Sequence, residues 1–437
     1  MVKEISRYLS RNVYPFHMPG HKQNPLFFPP HLQSLDLTEI PGMDVLSSAT
    51  GIIQKMQDRI ASFYHADASF FLVNGSSAGV MAAVCYAATV ADLIMMPRNA
   101  HVSAYNALGL SDMLPRYIMP EISLDGLAGG ISPALFNDMP HGAAVLIVSP
   151  TYEGFVSDIS AIAHRVHEKN GIVIVDEAHG AHFPFHKGFP ASALENGADI
   201  VVNSFHKTLP ALSQTAALHV KKERIDVKRL QFFVNAMQTS SPSYMFMAST
   251  DYMLQLLWDS PTLFDEYFER LCRLRASLAS FGLLGKERIG KDAVFDVDIG
   301  KLLFSVENAR DIAEILSKKY QVQMEMAAGQ HMLGMTSVAD TNEGFQLLEH
   351  AIKSLKIKPP TKIFPCLFSP PEAAITPYEA LRQPSKKMPL ENATGKISAQ
   401  LIAEYPPGIA LIAPGERIPQ DICHFTKKMS HILVVDN

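Results

Sequence analysis

The stretch IVIVDEAHG, residues 172–180, is an apolar run of strand length that ends on a carboxylate, Asp176. A second such stretch, DIVVNSFHK, residues 199–207, ends on a lysine, Lys207. Short continuous apolar runs are typical of strands buried on both faces, as in parallel sheets. Ligands bind beyond the carboxyl ends of the strands in such sheets. The two stretches therefore predict a buried α/β sheet with Asp176 and Lys207 at its ligand-binding edge.

Outward from these stretches, apolar runs alternate with helical patterns from about residue 52 to residue 255. The expected strands are 68–73, 93–97, 143–149, 171–176, 199–203 and one near 216–220. This alternation predicts βαβ units, a mostly parallel sheet and helices on both of its faces.

The rest of the chain has a different character. A long helical pattern covers residues 252–281, and the shorter segments that follow, 293–299, 321–326 and 331–335, favour a smaller α+β domain. Prolines between residues 359 and 386 indicate a loop-rich passage before a last helix and strand. We expect an N-terminal arm (1–45), a large domain (46–258) and a small C-terminal domain (259–437).

Composition is that of a soluble globular enzyme with more than one domain: 437 residues, 47% hydrophobic and 19% charged. A net charge of −5 without any long lysine or arginine block argues against nucleic-acid or membrane-surface binding. The most apolar stretch, residues 78–96, contains Asp92 and predicts a buried helix followed by a strand rather than a membrane span.

The cysteines and the N-terminus bear on the compartment. Cys85, Cys272, Cys366 and Cys423 are scattered without CxxC spacing, so we expect free thiols, no zinc or other metal site and a reducing environment. The N-terminus lacks the apolar core of a signal peptide. Both observations predict a cytoplasmic protein.

Asp176 and Lys207 together indicate a specific cofactor. An aldehyde cofactor with a basic ring nitrogen needs an amine to form a Schiff base and an acid to keep the ring nitrogen protonated. Pyridoxal 5'-phosphate (PLP) is that cofactor. Ala178 would let its ring lie flat against the backbone, and His179 would hydrogen-bond its phenolic oxygen.

Other polar segments follow the predicted strands. Phosphate binding needs backbone N–H groups at a helix N-terminus together with hydroxyls, and residues 74–79 (NGSSAG) provide both before a helix expected to begin near Val80. Ser204 and His206 flank the lysine and would reach the same phosphate. His101 is a candidate to stack on the cofactor ring, and segment 151–154 (TYEG) is a candidate contact for the ring or the substrate.

The chain resembles the PLP-dependent ornithine/lysine/arginine decarboxylases of the aspartate-aminotransferase fold (fold type I). The matching segments occur in family order over nearly the whole chain: HMPGHK (17–22), DLTEIPG (36–42), NGSSAG (74–79), residues 98–108, PTYEG (150–154), DEAHGAHF (176–183), SFHKTLPALSQT (204–215), TSSPSY (239–244), GKISA (395–399), YPPG (405–408) and PGE (414–416).

The resemblance implies α-decarboxylation of lysine, arginine or ornithine in polyamine-type metabolism. It implies that Lys207 is the Schiff-base lysine, Asp176 the partner of the pyridinium nitrogen and His101 the stacking group. It further implies that Ser76, Ser77, Ser204 and His206 hold the phosphate and that Ser240 and Ser241 reach the cofactor of a neighbouring subunit. Together with Thr151, Ala178 and His179, these are the expected cofactor-binding residues. Active sites shared in this way require at least a homodimer.

The sequence also departs from the family pattern. Val102 stands where many relatives have a lysine, and Ala78 where a serine or glycine is common; we expect both to be compatible with PLP binding. Lys396 replaces the usual arginine, and Ser47-Ser48 replace an acidic segment, which leaves the substrate open. Because the chain begins almost at HMPGHK, without the extra N-terminal domain of larger members, we expect a dimer rather than a decamer.

Two alternatives remain at this stage: another PLP reaction, such as transamination or lyase chemistry, and a PLP-binding regulator with little turnover. Residues 208–220 contain no arginine, whereas aminotransferase relatives often bind phosphate with one there. The group that recognises a cationic substrate side chain should be acidic, and Glu325 and Glu391 are the candidates.

Overall fold

The computed structural model describes residues 10–360, 370–404, 409–420 and 429–436. The first nine residues of the predicted arm, Cys366, Cys423 and the YPPG segment (405–408) lie outside the described residues. Among the helices of the described part, none is long and apolar enough to cross a membrane.

A seven-stranded sheet forms the centre of the protein. Its strands, in spatial order, are Ala68–Leu72, Ala216–Val220, Ile200–Ser204, Ile172–Asp176, Ala144–Val148, Leu93–Pro97 and Leu114–Ile118. The second of these runs antiparallel to both neighbours, and the remaining pairs are parallel. All six expected strands are confirmed.

The seventh strand, Leu114–Ile118, was not expected from the sequence. It lies at the sheet edge, where residues are alternately exposed, and it contains a proline and an arginine. An edge strand tolerates both because one side of its backbone has no ladder partner.

Apolar side chains cover both faces of the sheet. Ile174 and Val202 pack on one face, and Val173, Val175 and Val201 pack on the other. Since successive strand residues point to opposite faces, burial of both faces requires an unbroken apolar run. The longer helices in this part of the chain are Ile52–Phe63, Gly75–Ala87, Val102–Leu110, Ile159–Glu168 and Val227–Ala236.

Two helix boundaries differ from the sequence expectation. The pattern expected as one helix over residues 252–281 is two helices, Tyr244–Asp259 and Thr262–Leu278, separated at Ser260-Pro261. Proline disfavours the helical conformation of the residue before it and fits the start of a helix, so the break falls there. The helix expected near Val80 begins at Gly75.

The C-terminal half builds smaller sheets, as predicted for an α+β region. One is antiparallel, with strands in the order Lys301–Ser305, His331–Met335 and Met326–Ala328. Further elements are the helices Ala309–Lys319, Asn342–Lys353 and Pro377–Arg382, and the paired strands Phe155–Val156 with Asp296–Val297, Ser385–Pro389 with His431–Val435, and Ile402–Glu404 with Ile409–Ile412.

The N-terminal arm is tied into this C-terminal half. Its strand Tyr14–Phe16 pairs in parallel with Val322–Met324, and the Tyr14 hydroxyl donates to Asp340. The arm then passes over the carboxyl edge of the large sheet, so residues from both halves of the chain meet there.

A buried ion pair links the C-terminal region to the large sheet. Arg98, directly after strand Leu93–Pro97, is fully buried and donates to both carboxylate oxygens of Glu416, at 2.5 and 3.1 Å. The same carboxylate accepts from the Ala413 amide, and the guanidinium also donates to the Leu411 carbonyl.

Candidate active site

Lys207 and Asp176 lie at the carboxyl ends of adjacent parallel strands. Asp176 is the last residue of its strand and is paired in register with Val202 of the next. The second strand continues into the short helix Phe205–Thr208, which carries Lys207. Both side chains line one cavity of about 170 Å³.

Several other predicted residues line the same region. Ser76, His101, Ala178 and His179 share the cavity with Asp176 and Lys207. An adjoining open pocket of about 450 Å³ is lined by the N-terminal turn of helix Gly75–Ala87, including Ser77, and by His206. Residues far apart in the sequence therefore form two connected spaces, with Lys207 on the wall of both.

Four predicted site residues do not line these spaces. Thr151 and Ser204 are buried; the Thr151 hydroxyl accepts from the Phe155 amide, and the Ser204 hydroxyl has no hydrogen-bond partner among the described residues. Ser240 and Ser241 are exposed on a loop, where Ser240 lines a separate small groove. The two loop serines are not part of the cavity of this chain.

His101 caps the helix that begins at Val102. Its Nδ1 accepts from the Ser103 amide at 3.2 Å, so a neutral ring carries its proton on Nε2. The ring is exposed to the two pockets, and its Nδ1 is held by the contact with Ser103. A flat face that is oriented and accessible is what stacking on a planar group requires.

His179 lies between two lysines. Its Nε2 is 3.1 Å from Lys207 Nζ, and its Nδ1 is 2.8 Å from Lys301 Nζ. Burial and the nearby positive charges, Lys207 first, hold the pKa of His179 well below its usual range. Burial also lowers the pKa of Lys207, and lowers that of Lys301 to about 8.

The HMPGHK segment crosses the site. The Gly20 amide donates to the His206 carbonyl at 2.7 Å, and a Cβ at this glycine would lie 2.7 Å from the Leu209 carbonyl oxygen. Met18 lines the cavity, and its amide donates to Glu325 at 3.0 Å. Close approach of the arm to the lysine-bearing helix therefore depends on a residue without a side chain.

Lys22, the last residue of that segment, is buried, and its amine contacts backbone carbonyl groups. Its Nζ donates to the carbonyls of His17 and Met335, at 3.0 and 2.8 Å. It adds a third lysine to a region that also contains Lys207 and Lys301.

Two carboxylates accompany Asp176. Glu325 accepts from the Tyr152 hydroxyl at 3.1 Å as well as from Met18. Glu153 lines the cavity at 2% exposure, with Oε1 unpartnered among the described residues, and burial raises its pKa to about 7. Glu153 is therefore no solvated loop residue. Glu391 is exposed on a short turn of the C-terminal region and does not line the cavity.

Sequence reasoning missed Lys301 and the part played by Ser213 and Gln214. Ser213 and Gln214 line the open pocket and lie within the SFHKTLPALSQT segment, so this motif could have indicated that they belong to the site. Lys301 had a weaker one: it opens an otherwise apolar strand, where a buried lysine is rare unless it is paired.

Comparison with known proteins identifies the family. The sequence model of the Orn/Lys/Arg decarboxylase major domain matches residues 1–312, and that of the family's C-terminal domain matches residues 362–433. The chain is 31% identical over 444 residues to a Bacillus anthracis protein named arginine decarboxylase, covering 96% of this chain and 90% of that protein.

Solved structures agree on the fold. The Escherichia coli constitutive lysine decarboxylase superposes with a TM-score of 0.75 at 17% identity, covering 96% of this chain and 79% of that one. A serine palmitoyltransferase from S. paucimobilis with bound PLP has a TM-score of 0.57 at 11% identity, covering 78% and 86%. The predicted fold class, that of the fold type I PLP-dependent enzymes, is confirmed, and the chain belongs to the Orn/Lys/Arg decarboxylase family.

Proposed function

We propose that this protein is a PLP-dependent α-decarboxylase of a basic amino acid. The observation that carries the proposal is the shared cavity at the carboxyl edge of the sheet. A half-buried amine, Lys207, and a carboxylate, Asp176, line it together with Ala178 and the exposed ring of His101.

The residues of the site fit PLP. Lys207 supplies an amine whose pKa is lowered by burial, which favours the neutral, nucleophilic form. The open pocket presents the first turn of a helix, two serine hydroxyls and His206, a donor set suited to phosphate. The small side chain of Ala178 leaves room on one side of the cavity, and His101 would cover the other.

The cofactor, when bound, would supply an electron-withdrawing pyridinium ring that accepts the electron pair left by the departing carboxylate. The chain's own residues would do the rest. Asp176 would hold a proton at the ring nitrogen, and Lys207 would anchor the aldehyde carbon. Lys207 Nζ or a histidine of the cavity, His101 or His179, would hold the proton that is delivered to Cα.

A basic substrate is supported by the relatives, which are named arginine and lysine decarboxylases. Neither of the two acids considered from the sequence lines the cavity itself, but Glu325 accepts hydrogen bonds from two residues that do, Tyr152 and Met18. We therefore propose Glu325 as the group that recognises the cationic end of the substrate.

We also propose a homodimer in which Ser240 and Ser241 act on the partner's cofactor. Their exposed loop, away from the cavity of their own subunit, is the arrangement that such sharing needs. Mixing Lys207→Ala subunits with Ser240→Trp subunits should restore part of the activity, because one site of each mixed dimer would be intact. No recovery in mixed dimers would contradict sharing.

The test is a decarboxylation screen with PLP over lysine, arginine and ornithine, read as carbon dioxide release. We expect release from at least one substrate, and Lys207→Ala should abolish both turnover and the absorbance band of covalently bound PLP. Lys187→Ala, at an exposed lysine that does not line the cavity, is the matched control. Keto-acid formation would favour transamination, and PLP binding without any product would favour a regulator.

A further inference from the structure

We propose that Lys301 is a positioning residue which, through His179, keeps the amine of Lys207 neutral and oriented. The proposal deepens the function above, since it rests on Lys207 being the amine that PLP captures. It assigns a role to a residue of the C-terminal half that does not line the cavity.

Hydrogen-bond counting provides the first step. An ammonium group has only donors, a neutral amine has one lone pair, and a neutral imidazole has one donor and one acceptor. His179 contacts a lysine at each ring nitrogen, at 3.1 and 2.8 Å. If both lysines were ammonium groups, one of them would point an N–H at the imidazole N–H.

Protonating His179 does not remove this restriction. A charged imidazole donates from both nitrogens, and both lysines would then have to be neutral acceptors. The three groups can therefore carry one positive charge among them without a donor facing a donor. Burial and neighbouring positive charges act against a charged His179, which leaves the charge on one of the lysines.

The distances indicate which lysine is charged. Hydrogen bonds that involve an ionised group are shorter than neutral ones. The distance from His179 to Lys301 Nζ, 2.8 Å, is 0.3 Å shorter than the distance from His179 to Lys207 Nζ, 3.1 Å. In this arrangement the Lys301 ammonium donates to Nδ1, the ring proton lies on Nε2, and Nε2–H donates to the lone pair of Lys207.

The surroundings of Lys301 suit a charge. Burial at 3% exposure lowers the pKa of Lys301, and Asp298, with one carboxylate oxygen unpartnered among the described residues, is the strongest of the groups that favour its charged form. The charged and titratable groups that face this set are Asp176, Glu325, His101 and His206 around Lys207 and His179, and Asp298, Glu325, Glu153 and Lys22 around Lys301.

The experiment measures covalent capture of PLP at Lys207 as a function of pH. The full chain, freed of cofactor, is mixed with PLP, reduced with borohydride at timed intervals and analysed by mass spectrometry of the Lys207 peptide. This readout follows the protonation of one amine and does not require turnover.

We expect Lys301→Met to move the pH midpoint of capture upward by about one unit, because His179 can then accept from a Lys207 ammonium. One unit corresponds to about tenfold slower capture below the midpoint. Lys301→Arg keeps a charge and donors, so its midpoint should stay close to that of the unaltered chain.

Lys22→Met is the matched control. Lys22 is another buried lysine near Lys301, but its Nζ contacts carbonyl oxygens and not His179. Removing its charge should move the midpoint by less than a third of the Lys301→Met shift. Equal shifts in the two variants would mean a general charge effect and would overturn the proposal.

Two further outcomes bear on it. An unchanged midpoint in folded Lys301→Met overturns the relay while leaving the proposed function intact. If that variant does not fold, Lys301→Arg still decides: a midpoint lowered by about a unit would mean that Lys301 is normally neutral, against the proposal. No capture by the unaltered chain would overturn the proposed function as well.

Discussion

Replacing Glu416 by glutamine should destabilise the protein more than any surface substitution of the same kind. The side chain keeps its shape, but its new NH2 group faces the Arg98 guanidinium, where the carboxylate accepted two hydrogen bonds. Both residues are essentially buried, at 0% and 1% exposure, so the unpaired cation cannot be hydrated. Removing one partner of a buried ion pair lowers the free energy of unfolding by about 3–5 kcal/mol.

The size of the effect on melting depends on what unfolds. At about 2.1 cal/mol/K per residue, unfolding of all 437 residues gives about 0.9 kcal/mol/K, and a loss of about 3 kcal/mol lowers the first transition by about 3 °C. If the segment that matches the family's C-terminal domain model, residues 362–433, unfolded alone, the same loss would lower its transition by about 20 °C. Calorimetry of Glu416→Gln distinguishes the two cases.

Glu349→Gln is the matched control, because it removes a half-exposed partner of Lys353 on a helix surface. Such pairs contribute about 0.3–0.5 kcal/mol, so this variant should melt within about 0.5 °C of the unaltered protein. The reasoning would be refuted if Glu416→Gln melted as high as this control. Arg98→Met combined with Glu416→Leu should be less destabilised than the sum of its single changes, since no charge remains buried.

Three further predictions follow from single contacts. Burial raises the pKa of Glu153 from 4.5 to about 7. Between these pH values Glu153 is deprotonated in the unfolded chain but protonated in the folded chain, so stability falls as the pH rises. Glu153→Gln should remove this loss, of about 3 kcal/mol at most, and should melt higher than the unaltered protein at pH 8 but not at pH 4.5. Gly20→Ala would put a Cβ 2.7 Å from the Leu209 carbonyl oxygen and break the hydrogen bond from the Gly20 amide to the His206 carbonyl. Losing that bond, about 1 kcal/mol, should weaken PLP binding about fivefold in an absorbance titration. Unchanged binding would contradict the role given to the arm. Gly79→Ala would put a Cβ 2.6 Å from a Leu72 methyl under the sheet, so overpacking should cost about 1–3 kcal/mol in denaturant unfolding, and an equally stable variant would show that the helix can shift.

Secondary structure was easiest to predict where a local signal and the tertiary environment agreed. The six strands of the large sheet that were predicted are apolar because both faces of the sheet are covered, and the polar ends of its parallel strands are where such sheets bind ligands. The edge strand Leu114–Ile118 lacks that signal because half of it is exposed. The helix break at Pro261 had a local signal, but the apolar pattern on either side masked it.

The sequence by itself determined the fold class, the family and the placement of Asp176 and Lys207 at one edge of the sheet. Each depends on residue types in a fixed local order, and register between neighbouring strands then brings the ends together. Only the tertiary structure decided which distant groups surround that pair. Lys301 and Glu325 come from other sheets and loops, and nothing in their local sequence says that the two halves of the chain close over one edge. Their charges matter because burial removes the water that would otherwise screen them, and burial is a property of the folded chain alone.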